Sequence, residues 1–119
     1  MVIVDTSIWV SHLREGNRQL ELLLLDDDVV CHPFIIGELA CGNIRNRTEI
    51  LSLMQTLPVA PKAQDDEILF FIERHDLHGI GIGLVDAHLL ASARLASISL
   101  WTSDKKLRVA ANRLNLSYK

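Results

Sequence analysis

Cysteine is nearly absent from this chain. Cys31 and Cys41 stand ten residues apart with no C-x-x-C pair, which argues against a disulfide framework and against a zinc knuckle; both are expected to be small core residues. No apolar run approaches the roughly 18 to 20 residues that a membrane-spanning helix needs. The opening Met1 to Asp5 also has no basic lead-in of the kind that precedes a secretory signal, so the expected location is the cytoplasm, away from any membrane. A basic excess is missing too: 12 Lys and Arg against 15 Asp and Glu leave a formal charge of -3. That balance argues against a protein held on nucleic acid mainly by a dense basic surface, and any contact with RNA or DNA must be local. Internal repeats, low-complexity tracts and linkers are absent. With 119 residues, 49% hydrophobic and 23% charged, disorder and fibrous classes are excluded, and a single domain spanning 1–119 is expected.

What is present is an alternation. Met1 to Val4 is a short, wholly apolar, largely β-branched run that stops at Asp5-Thr6-Ser7, the pattern of a buried strand running into a helix cap. Helices are expected at about 7–14 and 18–25, then a short strand at 29–31. Pro33 suits the first turn of a helix over 33–41 that Gly42 ends. A further helix, 47–57, is closed by Pro58 and Pro61, with 58–61 as a stiff loop. An amphipathic helix follows at 64–77, then a flexible approach at 79–83. The next helix, 84–96, is largely buried, with only His88, Ser92 and Arg94 left to face water. A third strand at 98–101, a helix at 104–114 and a short last strand at 116–118 complete the chain. Such an order predicts an α/β fold: a mostly parallel central β-sheet flanked by helices, an α/β/α sandwich joined by right-handed crossovers.

In open parallel sheets, ligands gather outside the carboxyl ends of the strands. Asp5 directly follows the first strand and Asp104 follows the third through Thr102-Ser103. Each by itself is equally well read as a helix cap. Glu38 is harder to account for, because it lies in Pro33-Phe34-Ile35-Ile36-Gly37-Glu38-Leu39-Ala40-Cys41 with Phe34, Ile35 and Cys41 on its face and no Lys or Arg nearby. A buried, unpaired carboxylate costs several kcal/mol. Asp86 stands on the same stripe as Leu89, Leu90 and Ala93, although the helix dipole would also favour an acid in this first turn. Four carboxylates from four segments, with no basic set to neutralise them, call for a divalent cation. All-oxygen ligands favour Mg²⁺ or Mn²⁺ over zinc, and the chemistry such a site serves best is phosphodiester hydrolysis.

Val-Asp-Thr-Ser at 4–7, Gly-Glu-Leu at 37–39, Val-Asp-Ala-His-Leu-Leu-Ala-Ser-Ala at 85–93 and Leu-Trp-Thr-Ser-Asp-Lys-Lys-Leu at 100–107 together resemble the PIN domain, in particular the VapC-type toxins of bacterial toxin–antitoxin pairs. The resemblance covers essentially the whole chain. It implies that Asp5, Glu38, Asp86 and Asp104 are the metal-binding quartet, that Thr102 is the hydroxyl residue orienting the site, and that Ser7 is its counterpart after the first acid. It further implies a Mg²⁺- or Mn²⁺-dependent endoribonuclease acting on RNA such as tRNA or other structured RNA, forming a homodimer and silenced by a small antitoxin protein. One departure stands out: the segment after Asp86 lacks the further acid that some PIN nucleases carry.

Other features are expected to be ordinary. Asp26-Asp27-Asp28 marks a solvated helix end, the five histidines lack the i,i+4 pairing of a zinc set and should be surface or half-buried, and Gly79 to Gly83 lacks the dinucleotide fingerprint. Arg45 and Arg47 beside Asn43 and Asn46 form one small candidate patch for a phosphate backbone, and Lys105 with Lys106 a second. An apolar surface on the early helices, around Trp9, Leu13, Leu22 and Leu25, would suit a second subunit and an antitoxin helix. Two rival classes remain open. A phosphoacceptor receiver domain needs an Asp at the end of a middle strand, which 50–61 does not supply. A non-catalytic RNA-binding or scaffolding module is disfavoured by the presence of all four acids.

Overall fold

Val2, Ile3 and Val4 form β1 (Val2–Val4), with all three side chains buried. In the computed structural model, which describes residues 1–119, this strand is the middle of the sheet. β2 (Val29–Val30) and β3 (Ser99–Trp101) pair with it in parallel on either side, in the order β2-β1-β3. The register sets Val2 beside Val29 and Ser99, and Ile3 beside Val30 and Leu100. A strand covered on both faces has no side for polar residues, which is why its sequence shows no alternation.

Both sheet edges are closed by short segments. Beyond β2, Cys31 N–H donates to Pro58 C=O at 2.7 Å and Ala60 N–H to Cys31 C=O at 2.9 Å, making a parallel bridge between Cys31 and Val59. The stiff loop expected at 58–61 thus also acts as an edge. Beyond β3, Leu100 N–H donates to Leu116 C=O at 2.7 Å and Tyr118 N–H to Leu100 C=O at 3.0 Å; the expected last strand is this single bridge at Ser117. Pairing of this kind removes exposed edges that would template another chain.

Seven helices surround the sheet: α1 (Thr6–Glu15), α2 (Arg18–Leu25), α3 (Pro33–Cys41), α4 (Arg47–Met54), α5 (Asp65–Arg74), α6 (Leu84–Ala96) and α7 (Lys105–Arg113). Their starts are chemically marked. Asn17 caps α2 by accepting Leu20 N–H at 3.0 Å, and α3 opens on Pro33 with the His32 ring as its cap, Nδ1 accepting Phe34 N–H at 3.0 Å. No helix is long and apolar enough to cross a membrane.

The structure corrects several expectations. Cys31 is buried as expected, whereas Cys41 is exposed at the end of α3. Trp9 belongs to the core and Leu13 is half-buried, so of the apolar surface expected on the early helices only Leu22 and Leu25 are truly exposed. His88 and Ser92 do not face water: every residue from Ala87 to Ala93 is buried, because α6 packs on β1 and β3 on one side and against α5 on the other. His32, expected at the surface or half-buried, is completely buried. Since its Nδ1 accepts the Phe34 N–H, its Nε2 carries the proton and donates to Ser92 Oγ at 3.0 Å. Burial, reinforced by the positive charge of His88 and Lys62, pushes its pKa down to about 4, so the ring is neutral at pH 7.

A Ser92→Ala variant leaves the His32 N–H buried without an acceptor, which should cost about 1–3 kcal/mol and be seen as a lower urea midpoint with an unchanged m-value. The wild type should lose its His32 contribution as pH falls from the unfolded value near 6.5 towards 4, because only the unfolded ring takes up a proton in that window. A Ser92→Ala protein as stable as wild type would show that the pair is not a structural tie.

Candidate active site

Asp5 lies one residue beyond β1. Its N–H donates to Trp101 C=O at 2.9 Å, which carries the parallel pairing one step past the strand and delivers the carboxylate to the carboxyl end of the sheet. The residue occupies the N-cap position of α1, and its C=O accepts the Ile8 and Trp9 N–H groups at 3.0 and 3.2 Å. Its side chain, however, makes no cap hydrogen bond. Oδ2 instead accepts from Thr102 Oγ1 at 2.7 Å and from Ser7 Oγ at 2.8 Å. Each hydroxyl is in turn oriented by backbone: Asp104 N–H donates to Thr102 Oγ1 at 3.0 Å and Ser103 N–H to Ser7 Oγ at 3.1 Å. The Thr102-Ser103-Asp104 segment is thereby latched onto Asp5. Asp5 and Thr102 are both buried.

The other three acids follow the same pattern. Asp104 caps α7, its Oδ1 accepting Leu107 N–H at 2.9 Å. Asp86, in the first turn of α6, accepts Gly83 N–H on Oδ2 at 3.3 Å. Glu38 Oε1 accepts from Thr6 Oγ1 at 2.6 Å. In each case one carboxylate oxygen is held by the protein and the other has no protein partner. The fully enclosed side-chain atoms without partners are Trp9 Nε1 and His88 Nδ1, so the unused oxygens are open to solvent. The cap reading therefore holds for Asp104 on one oxygen and fails for Asp5.

The charges of the other three acids reach Asp86. Burial raises the Asp86 pKa; the Gly83 N–H opposes that rise, and the negative charges of Asp5, Asp104 and Glu38 add to it. Nothing neutralises the set, because the one ion pair in the structure is Arg18–Glu21, on the exposed face of α2. Glu38 requires a correction. It was expected to be buried beside Phe34, Ile35 and Cys41, but α3 buries Ile35 and Leu39 and leaves Glu38 exposed. Its partner is Thr6, a residue that no spacing in the sequence connects to it.

The donor chemistry fits a hard divalent cation: every ligand is an oxygen, each acid has one to spare, and no cation competes. As the side chains lie, no three of them form a finished cage, so holding an ion requires them to close on it. Of the two candidate phosphate patches, one is reduced. Arg47 directs Nε and Nη2 to Ala40 C=O at 3.0 and 2.8 Å and so caps the end of α3. Arg45 remains exposed, beside Arg14 and Asn43.

Because folding raises the Asp86 pKa, its ionised form destabilises the metal-free protein. The associated stability is complete below the unfolded value of 3.8 and is lost as pH rises through the folded one. Asp86→Asn, measured in EDTA at pH 7, should therefore melt higher than wild type by a few degrees, with the difference vanishing at pH 3. A lower melting temperature for the variant at pH 7 would contradict the clustering.

Residues 2–113 match the PIN domain family. The chain is 45% identical over 111 residues to Ribonuclease VapC32 of two Mycobacterium tuberculosis strains, CDC 1551 / Oshkosh and H37Rv, covering 92% of this chain and 90% of theirs. In fold it is similar to PAE2754 from Pyrobaculum aerophilum, with a TM-score of 0.66 at 14% identity over 98% of this chain and 87% of that one. It is also similar to FitAB bound to an IR36 DNA fragment, with a TM-score of 0.64 at 19% identity over 94% and 91% of the two chains. The acids brought to one end of a parallel sheet, the match along nearly the whole chain and the identity to a VapC ribonuclease lead to one assignment: this protein belongs to the PIN-domain family, as a VapC-type member.

Proposed function

We propose that this protein is the toxin of a type II toxin–antitoxin pair, a Mg²⁺- or Mn²⁺-dependent endoribonuclease that hydrolyses phosphodiester bonds in RNA, tRNA or other structured RNA included. The observation that carries this reading is the single charge environment shared by Asp5, Glu38, Asp86 and Asp104, four acids with no basic partner in a chain 45% identical to a ribonuclease. These four residues would hold the cation. A bound divalent cation supplies a water of lowered pKa and charge stabilisation at the attacked phosphate.

The chain's own residues prepare the site. Thr102 Oγ1 and Ser7 Oγ hold Oδ2 of Asp5, fixing the rotamer of the most buried ligand and leaving Oδ1 for binding. Thr102 also ties Asp104 into the same unit through its N–H. Asp86 retains its proton to higher pH than an ordinary carboxyl, so a cation held there would compete with that proton and would bind more tightly as pH rises through the raised pKa.

A partner that silences the toxin needs an apolar seat. Between α1, α2 and α4 lies a cleft of about 250 Å³ lined by Leu13, Leu24, Ile50, Leu53 and the buried Trp9. An antitoxin segment offering apolar side chains would suit it. A second copy of the chain would suit the α5–α6 face, where Leu69, Phe70 and Leu95 are exposed by 67%, 68% and 55%.

Asp5→Asn, Glu38→Gln and Asp86→Asn should each reduce RNA cleavage below detection in a purified, folded protein, while Thr102→Val should lower it about 10- to 100-fold by freeing Asp5. Asp104→Asn should lose less. In the wild type, cation at a hundredfold excess over Kd should add about 2.7 kcal/mol of stability, and Asp5→Asn should lose most of that gain. Full activity in any of the first three variants removes that residue from the site. For the partner, co-expression with any small protein whose reading frame adjoins this gene should yield a complex that Leu53→Asp disrupts; unchanged co-purification of that variant would move the seat elsewhere.

A further inference from the structure

Helix α7 has an unusual charge pattern for a chain of net charge -3: Lys105, Lys106, Arg108 and Arg113 are four of the chain's 12 basic residues, and no acid lies between them. None forms an ion pair. Lys105, Lys106, Val109 and Arg113, with Ile80 from the loop before α6, line a groove of about 350 Å³. Its two walls belong to different site acids. α7 follows directly from Asp104, and the 79–83 loop leads directly into the first turn of α6, where Asp86 stands.

The walls are fitted to each other at Gly81. A Cβ there would meet Lys106 Cδ at 2.6 Å and Nζ at 2.8 Å, and the backbone φ is +87°, a conformation that favours glycine. Lys106 thus lies across the loop, with its stem covering Gly81. At the far end, Arg113 Nη2 donates to His75 C=O at 2.6 Å and to Asp76 C=O at 3.3 Å, and the backbone at Arg113 lies about 12 Å along the helix from that at Lys105. Val109 between them is 61% exposed. No aromatic ring lines the groove, so it offers positive charge without a surface for stacking bases.

We propose that this groove is the track for the RNA backbone on one side of the scissile bond: Lys105 and Lys106 hold the phosphates nearest the acids, and Arg113 one further along, without reading base identity. The inference rests on the ribonuclease reading. It places positive charge where an acidic site would otherwise repel its polyanionic substrate, and it explains how a chain of net negative charge binds RNA locally.

The test is steady-state cleavage of one RNA oligonucleotide at several salt concentrations by wild type, K105Q/K106Q, the charge-keeping K105R/K106R, and R18Q, which removes a charge on α2. K105Q/K106Q should raise KM about tenfold with kcat within about twofold, and its slope of log(1/KM) against log[salt] should flatten by about 1.4, the value for two lost single-strand phosphate contacts. K105R/K106R should restore both, and R18Q should change neither. An unchanged KM and slope in K105Q/K106Q, a loss confined to kcat, or an equal effect in R18Q overturns the track while leaving the ribonuclease reading intact. A wild type that cleaves no RNA removes both.

Discussion

Like charges brought together without a counter-cation push apart, and at Asp5, Glu38, Asp86 and Asp104 that repulsion is opposed by hydrogen bonds to one oxygen of each acid. Every bond spends a donor that the fold brings there: a hydroxyl from the end of β3, a hydroxyl from the first turn of α1, and amides at the starts of α6 and α7. One oxygen of each acid is thus held in place, which reduces the reorganisation that closing on a ligand requires. The residual strain is most visible at Asp86, whose carboxyl is pushed upward by burial and by its three neighbours.

The scaffold repeats this logic one layer below. His32 sits at the end of β2, caps α3 with one ring nitrogen and holds Ser92 of α6 with the other. It therefore joins the helix that bears Glu38 to the helix that bears Asp86, and burial keeps it neutral and able to do both. The parallel order β2-β1-β3 then puts the ends of all three strands on one edge, so that Asp5, His32 and the Thr102–Asp104 segment emerge together. A protein of this design trades stability for four acids that already stand at one end of the sheet.

Much of this is legible in the sequence. The bounds of α3 and α6 agree with the expected 33–41 and 84–96, because Pro33 and Gly42 bracket the first and the second follows a glycine-rich approach. Asp5 and Asp104 are found from strand ends alone. The facing of α3 is not legible, since Phe34, Ile35, Ile36, Leu39 and Ala40 surround its axis and periodicity assigns no exposed side; the exposure of Glu38 is missed for that reason. His88 and Ser92 mislead because α6 is covered on every side over 87–93; there Ser92 is a buried tie to His32, whereas His88 Nδ1 has no partner. The link from Thr6 to Glu38 and the capping role of Arg47 are tertiary contacts that leave no local trace.

The central claim is that four acids share one electrostatic site built for a cation. It is tested most directly by following the Asp86 carboxyl carbon by NMR through a pH titration of the metal-free protein, of Asp5→Asn, and of the wild type with Mg²⁺. The account predicts that Asp86 titrates above the ordinary carboxyl value in the wild type, lower when Asp5 is neutralised, and below the ordinary value once Mg²⁺ is present. An Asp86 that titrates normally and responds neither to Asp5→Asn nor to Mg²⁺ would contradict it.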